Sequence, residues 1–153
     1  MPGFLSPLRI EEIDGDDRRW KLIDKCVYHL TTPDGPEWVC VEPDFVTDFG
    51  SIPRLLWGVR GLSPFGRLRR AYVIHDQLYQ KPCVQSATGT RPATRKEADG
   101  ILLEGCHVLG ASWLNRHLIY RGVRMWGWVT WWRYRRSEAQ TGSPVEPVPD
   151  KGR

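Results

Sequence analysis

The stretch Ala71-Tyr72-Val73-Ile74-His75-Asp76-Gln77-Leu78-Tyr79 decides the expected fold, because it sets a His–Asp pair inside an otherwise apolar run. On a helix, Tyr72, His75 and Tyr79 share one face, because residues three and four positions apart are neighbours. Asp76 is turned about 100° from His75 around the axis. This arrangement suits a general base beside a bound cation. The competing interpretation is a core histidine, with the aspartate paired to a nearby arginine.

Sequence signals bound this helix on both sides. Ser63-Pro64 predicts its start, and Pro82 predicts its end at about Gln80, because proline cannot continue a helix. The segment from Cys83 to Pro92 is polar and contains a glycine, so we predict a loop there.

A second helix is predicted downstream. Thr94 and Glu97 form a capping box, which predicts a helix through about Leu109, ended by Gly110. Asp99 lies near its start and could orient His75 from across a helix pair. It could equally pair with Arg95, four residues earlier on the same helix. A third helical pattern covers 115–132.

The N-terminal part is rich in strand-forming residues. Two segments, Trp20 to Thr32 and Glu37 to Asp48, are rich in Val, Trp and Thr, and a Pro-Asp-Gly-Pro turn separates them at 33–36. This pattern predicts a β-hairpin with Cys26 near Cys40. We therefore predict an α+β fold, with a hairpin or small antiparallel sheet packed on about three helices.

Length and composition bound the remaining possibilities. A chain of 153 residues with 41% hydrophobic residues and eight tryptophans predicts one folded domain, which we place at 1–136. The segment 137–153 is rich in Pro, Gly, Ser and charge, which predicts a disordered tail. There is no secretory signal and no run of about 18 apolar residues, so neither export nor a membrane span is expected. The four cysteines are then expected to be free thiols.

The chain carries a net charge of +4, with arginines concentrated in two patches. One patch holds aromatic residues as well, in Trp126-Gly127-Trp128-Val129-Thr130-Trp131-Trp132-Arg133-Tyr134-Arg135-Arg136. Aromatic rings beside arginine suit an anionic membrane surface, or more weakly single-stranded nucleic acid. The alternative is a terminal helix that packs into the core or contacts another protein.

The segment Asp48-Phe49-Gly50-Ser51 leaves the second strand and is either a helix cap or part of a site. If it faces His75 and Asp76, its oxygen atoms suit calcium or magnesium. A zinc site built from His75 with an aspartate is a weaker alternative.

Residues 75–79 resemble the His-Asp-x-x-Tyr helix of phospholipases A2. The resemblance implies a paired antiparallel helix, with His75 as the base that activates water and with Tyr79 and Asp99 holding it. It also implies calcium bound by Asp76 and the upstream loop, so we assign Asp48 and Gly50 to the metal. The repeated glycines of that family's loop are absent from this chain except for Gly50, and so are the cysteines that flank its helix, since Ile74 directly precedes His75.

A second resemblance covers more of the sequence. Four blocks, at 46–54, 71–79, 95–99 and 120–127, are similar to the DUF1353 family of bacteriophages and prophages. That resemblance implies a phage origin, other phage proteins as partners, and the host cytoplasm or the virion as location.

These observations leave three functions. The first is a hydrolase with a phospholipase-A2-like site, acting on lipid. The second is a non-enzymatic structural or assembly protein of the virion or tail, in which the same residues form a buried polar network. The third is a cell-wall-directed lysis accessory.

Overall fold

The computed structural model describes residues 1–30, 36–49 and 66–141. Over this part of the chain the fold is α+β, as predicted, with antiparallel strands followed by helices. The elements in chain order are β1 (Gly3–Phe4), β2 (Ile10–Ile13), β3 (Asp16–Leu22), β4 (Cys26–Leu30), β5 (Glu37–Val41), β6 (Val46–Thr47), α1 (Arg69–Gln80), β7 (Cys83–Ser86), β8 (Gly89–Pro92), α2 (Arg95–Val108) and α3 (Trp113–Thr141).

The strands of this part form two antiparallel sheets, with the orders β1-β4-β5-β7-β8 and β2-β3-β6. The predicted hairpin is present, but each long strand is divided between the two sheets. Cys26 pairs with Val41 and Trp20 pairs with Thr47. The two ladders are therefore in the same register, as they would be in one continuous hairpin. Between them the ladder breaks near Asp44, whose φ of 65° turns the chain. The connecting turn at 31–35 lies outside the described residues.

The prediction of a loop between Cys83 and Pro92 was wrong, because β7 and β8 form a hairpin there. Strand β7 pairs with the edge of β5, which satisfies backbone groups that a loop would leave to water. At the turn, Gly89 has φ of 139° and Ser86 Oγ donates a hydrogen bond to its carbonyl. The segment gives little periodic signal because, among its β7 and β8 residues, Val84 alone is buried.

The helix boundaries agree only in part with the predictions. Helix α1 begins at Arg69, after a turn at 66–68, and so later than predicted; residues 63–65 lie outside the described part. Helix α2 begins as predicted, with Thr94 Oγ1 accepting from Glu97 N. Its end is a Schellman motif around Gly110, with φ of 79°.

Helix α3 is longer than predicted and runs to Thr141, into the segment expected as a tail. Residues 142–153 lie outside the described part of the chain, as does any helix that a cap at 48–51 would begin. No described helix is long and apolar enough to cross a bilayer. The four cysteines are free thiols.

Helix α1 lies at the centre of the core. It packs against α2, α3, β4 and β5, and eight of its twelve residues are buried. Gly105 of α2 lies opposite Ala71, where an added Cβ would stand 3.2 Å from the alanine Cβ. Since Ala71 meets Gly105 while His75 meets Asp99, the two helices run antiparallel.

Candidate active site

Asp99 is the centre of a buried polar cluster that joins all three helices. His75 Nε2 lies 2.9 Å from Asp99 Oδ1, and the Tyr79 hydroxyl donates to the same oxygen at 2.7 Å. From α3, Arg124 Nη1 donates to Asp99 Oδ2 at 3.0 Å, while Arg95 Nη1 lies 3.5 Å from that oxygen. The side chains of His75 and Asp99 have no exposure to solvent. The expected contact between His75 and Asp99 is therefore present.

Local sequence explains this geometry. His75 and Tyr79 are one helical turn apart, and their rings pack at 4.2 Å between centroids, so both reach toward the same side of α1. Thr94 caps α2, which places Asp99 in its second turn. Arg95 pairs with Asp99 along α2 and also donates to the carbonyl of Arg124 at 3.3 Å. Asp99 therefore makes both of the contacts that the sequence left open, one to His75 and one to Arg95.

The cluster keeps Asp99 ionised. Burial alone would raise the pKa of its carboxyl, but hydrogen bonds from His75, Tyr79 and Arg124 and the charge of the imidazole outweigh burial, so the pKa lies below its ordinary value. Burial, and then the charge of Asp99, raises the pKa of Tyr79, so the phenol remains a donor. Near neutral pH, Asp99 is a carboxylate that accepts from three helices.

Asp76 has different partners, because it is turned away from His75 around α1. Thr47 Oγ1 donates to Asp76 Oδ2 at 2.5 Å and accepts from Phe49 N at 3.2 Å. Phe49 has φ of 49°, so the chain turns sharply just after Asp48. Strand β6 and this turn therefore meet the middle of α1.

A cavity of about 640 Å³ lies where α1, α3 and the turn after β6 meet. Helix α1 contributes His75, Asp76 and Tyr79, and the turn contributes Asp48. The residues that line it from α3 are Val123, Trp126, Gly127, Thr130, Arg133, Tyr134 and Ser137. His75 forms part of the wall although its side chain is fully buried, so the ring lies behind the exposed surface.

The charges of Asp48 and Asp76 both act on this cavity. Burial is the first cause that raises the pKa of Tyr134, and the two carboxylates add to it. Carboxylate oxygens are ligands that calcium and magnesium prefer. Among residues 1–30, 36–49 and 66–141, however, no group of three or more His, Cys, Asp or Glu side chains could hold a metal ion. Gly50, the third expected ligand, lies outside the described residues.

Helix α3 contributes residues that the sequence prediction left out of the site. Gly127 allows α3 to approach α1, because an added Cβ would stand 2.3 Å from the Tyr79 hydroxyl oxygen. Arg135 Nη2 donates to the carbonyls of Tyr79 and Gln80, at 2.8 and 2.9 Å, and so caps the end of α1. A glycine inside an aromatic helix was the available signal, since such a residue often marks a close approach.

The other histidines lie away from the cluster that Asp99 forms with His75, Tyr79, Arg95 and Arg124. His29 is on β4 and stacks on Trp38, with 6.1 Å between ring centroids. His117 packs against Trp113 near the start of α3. His107 lies in the last turn of α2 and contacts Arg116.

Comparison with known proteins yields a family but no activity. A family model described as "Protein of unknown function (DUF1353)" matches residues 20–123, about two thirds of the chain. No curated protein and no solved structure matches the chain. The matched segment contains Asp48, His75, Asp76 and Asp99, but of the α3 residues that line the cavity it includes only Val123. The chain belongs to the DUF1353 family.

Proposed function

We propose that this protein is a hydrolase with a phospholipase-A2-like layout, in which His75 is the general base and the substrate is a lipid ester. One observation carries the proposal. His75 Nε2 lies 2.9 Å from the buried Asp99 carboxylate, and His75 is also among the residues that line a cavity with Asp48 and Asp76. An oriented imidazole beside a polar cavity is the arrangement that general-base catalysis needs.

The chemistry follows from the cluster. A carboxylate at Nε2 favours the tautomer with its proton on that nitrogen, which leaves the lone pair on Nδ1. Nδ1 would take a proton from water as the water oxygen attacks the ester carbonyl, and Asp99 would stabilise the imidazolium. His75 would then return the proton to the leaving alcohol, so that ester and water give acid and alcohol. Tyr79 and Arg124 act through Asp99, because they hold its two oxygens.

The cavity lining supports a lipid ester as the first choice of substrate. Val123 and Trp126 offer apolar surface, while Asp48, Asp76 and Arg133 offer polar groups at the same cavity. If the site binds calcium, Asp48 and Asp76 are the carboxylates that would hold the ion. Bound there, calcium would supply a positive charge that polarises the ester carbonyl.

The test compares wild type, His75→Ala and the control His29→Ala on a soluble short-chain phospholipid, phospholipid vesicles and purified murein. We expect wild type to release fatty acid, and His75→Ala to lose about 10²–10⁴-fold of that rate, since this is the contribution of a general base. His29→Ala should keep it, because His29 lies outside the cluster. Wild type that is inactive on every lipid would overturn the proposal. Murein hydrolysis alone would support the cell-wall alternative.

Calcium binding is measured in a separate experiment. Calorimetry with calcium on wild type and Asp76→Asn tests the cation separately from catalysis. We expect heat of binding for wild type and none for Asp76→Asn. Lack of binding at millimolar calcium would remove the metal while leaving acid–base chemistry at His75 in place.

A second candidate is a non-enzymatic structural or assembly protein of a phage particle. It is favoured by the burial of the cluster, because His75 and Asp99 have no exposed side-chain surface and both Asp99 oxygens are bonded. In that case wild type would be inactive, and His75→Ala would lower the melting temperature by about 2–4 °C for each kcal/mol of stability lost, the scale expected for a chain of about 150 residues.

A further inference from the structure

The outer side of α3 carries an apolar stripe exposed to solvent. Met125, Trp128 and Trp132 are 64%, 53% and 54% exposed, and Val129 between them is 45% exposed. These positions are three and four residues apart, so they lie on one face of the helix. Leu114 and Leu118 extend the same face toward the start of α3. We call Leu114, Leu118, Met125, Trp128, Val129 and Trp132 the α3 stripe.

The charge around the α3 stripe has one sign. From Trp113 to Ser137 the chain has six arginines and no Asp or Glu. Arg121 and Arg136 are exposed and continue the spacing of the stripe, and Arg133 is exposed beside it. A face that combines tryptophan, aliphatic side chains and arginine matches the boundary between lipid headgroups and acyl chains.

We propose that the α3 stripe docks this protein on an anionic lipid bilayer. This inference rests on the proposed function, because it names a membrane as the place where the site would meet its substrate. A second copy of the chain fits less well, since pairing two stripes would bring arginines together, and the one carboxylate of α3, Glu138, already pairs with Arg135. Single-stranded nucleic acid fits less well because the leucine, methionine and valine side chains offer no ring for a base to stack on.

The stripe lies next to the cavity on the same helix. Trp126 follows Met125 of the stripe, is 63% exposed and also lines the cavity, so an exposed ring lies between the two surfaces. Arg133 is likewise exposed and lines the cavity. A bilayer held against the stripe would therefore reach the cavity wall beside Trp126, and a lipid headgroup would meet Arg133 there.

The experiment uses the full chain and ether-linked lipids, which an esterase cannot cleave. Sedimentation and tryptophan fluorescence are measured with phosphatidylcholine vesicles that contain or lack phosphatidylglycerol. We expect binding to the anionic vesicles, a blue shift of the emission, and weaker binding as salt is added. The double variant Trp128→Ala/Trp132→Ala should bind about tenfold or more weakly. Arg121→Gln/Arg136→Gln should lose about 25-fold at low salt, from about fivefold per arginine.

Two matched variants complete the test. Trp113→Ala removes a tryptophan of α3 that is 65% exposed but lies off the stripe, so it should bind as wild type does. His75→Ala should bind normally even if it has lost hydrolysis, so a failure of binding and a failure of catalysis are distinguishable.

Three results would overturn the inference. The first is no binding to anionic vesicles at low salt, and the second is an equal loss in Trp113→Ala. The third is dimer formation, or binding of a single-stranded oligonucleotide, that depends on Trp128 and Trp132 while vesicles do not bind.

Discussion

At the scale of single residues, Asp99 is the position on which the site depends. It has no exposed side-chain surface, and it accepts from α1, α2 and α3 at once. Such a buried charge is costly unless its partners remain, and its partners are equally costly without it. Sequence reasoning named this residue because it lies near the start of the second predicted helix and because the phospholipase-A2 resemblance implies an aspartate there. It did not find Thr47 or Arg124, which meet the site only through tertiary contacts.

We predict that Asp99→Asn lowers the free energy of unfolding by about 3 kcal/mol at neutral pH, because Arg95 and Arg124 lose their counter-charge and His75 loses the carboxylate that it contacts. The control is Asp24→Asn, which breaks the exposed ion pair with Arg9 and should cost less than about 1 kcal/mol. Urea unfolding of both variants measures the difference. Equal effects of the two substitutions would contradict the role given to Asp99.

The same carboxyl predicts a pH dependence. The pKa of Asp99 is lower in the folded protein than its ordinary value of 3.8, so its contribution to stability is complete above that value and is lost as pH falls through the folded pKa. We expect the difference in unfolding free energy between wild type and Asp99→Asn to shrink below about pH 4. A difference that is constant from pH 7 to pH 3 would show that the charge is not what stabilises the cluster.

At the scale of elements, the approach of α3 to α1 sets the shape of the cavity. Gly127 is the contact point, since a side chain there would displace the Tyr79 hydroxyl from Asp99. The cap that Arg135 gives to the end of α1 holds the same two helices together about two turns further along α3. The sequence predicts both helices, but their relative placement depends on residues more than forty positions apart.

We predict that Gly127→Ala destabilises the protein by about 1–3 kcal/mol, although alanine is the better helix former, because the new methyl group overlaps the Tyr79 hydroxyl oxygen. Gly100→Ala is the matched control on α2, where an added Cβ meets nothing within 4 Å, and it should stabilise by up to about 1 kcal/mol. Combining Gly127→Ala with Tyr79→Phe should cost less than the sum of the two changes. Additive costs in thermal unfolding would argue against this contact.

At the scale of the whole molecule, the core is built around α1, which packs against two helices and two strands. Helix α3, by contrast, has its outer face exposed along much of its length. Local stability should follow this difference, because segments with little buried surface open more readily than the core.

We therefore predict that the amides of Val73 to Leu78 exchange with solvent most slowly, at rates set by global unfolding. Amides from Trp128 to Ala139 should exchange faster, through local opening of the end of α3. Hydrogen exchange measured by NMR or mass spectrometry checks this order. Equal protection of both segments would show that α3 opens only with the rest of the protein.

Local patterns in the sequence determined those helices and strands whose ends or turns are marked by nearby residues. The capping box at Thr94, the end of α2 at Gly110 and the register of the β4–β5 hairpin follow from residues a few positions apart. The contact of His75 with Asp99 was one of two alternatives that the sequence left open, the other being the pairing of Asp99 with Arg95.

Tertiary structure alone decided the rest. The β7–β8 hairpin exists because the edge of β5 offers backbone partners to a segment with little periodicity of its own. The cavity exists because Gly127 lets α3 come close to Tyr79, and because Thr47 holds Asp76 from a strand 29 residues away. Such contacts depend on how elements dock, and docking is set by the fit of whole surfaces rather than by the propensity of any one segment.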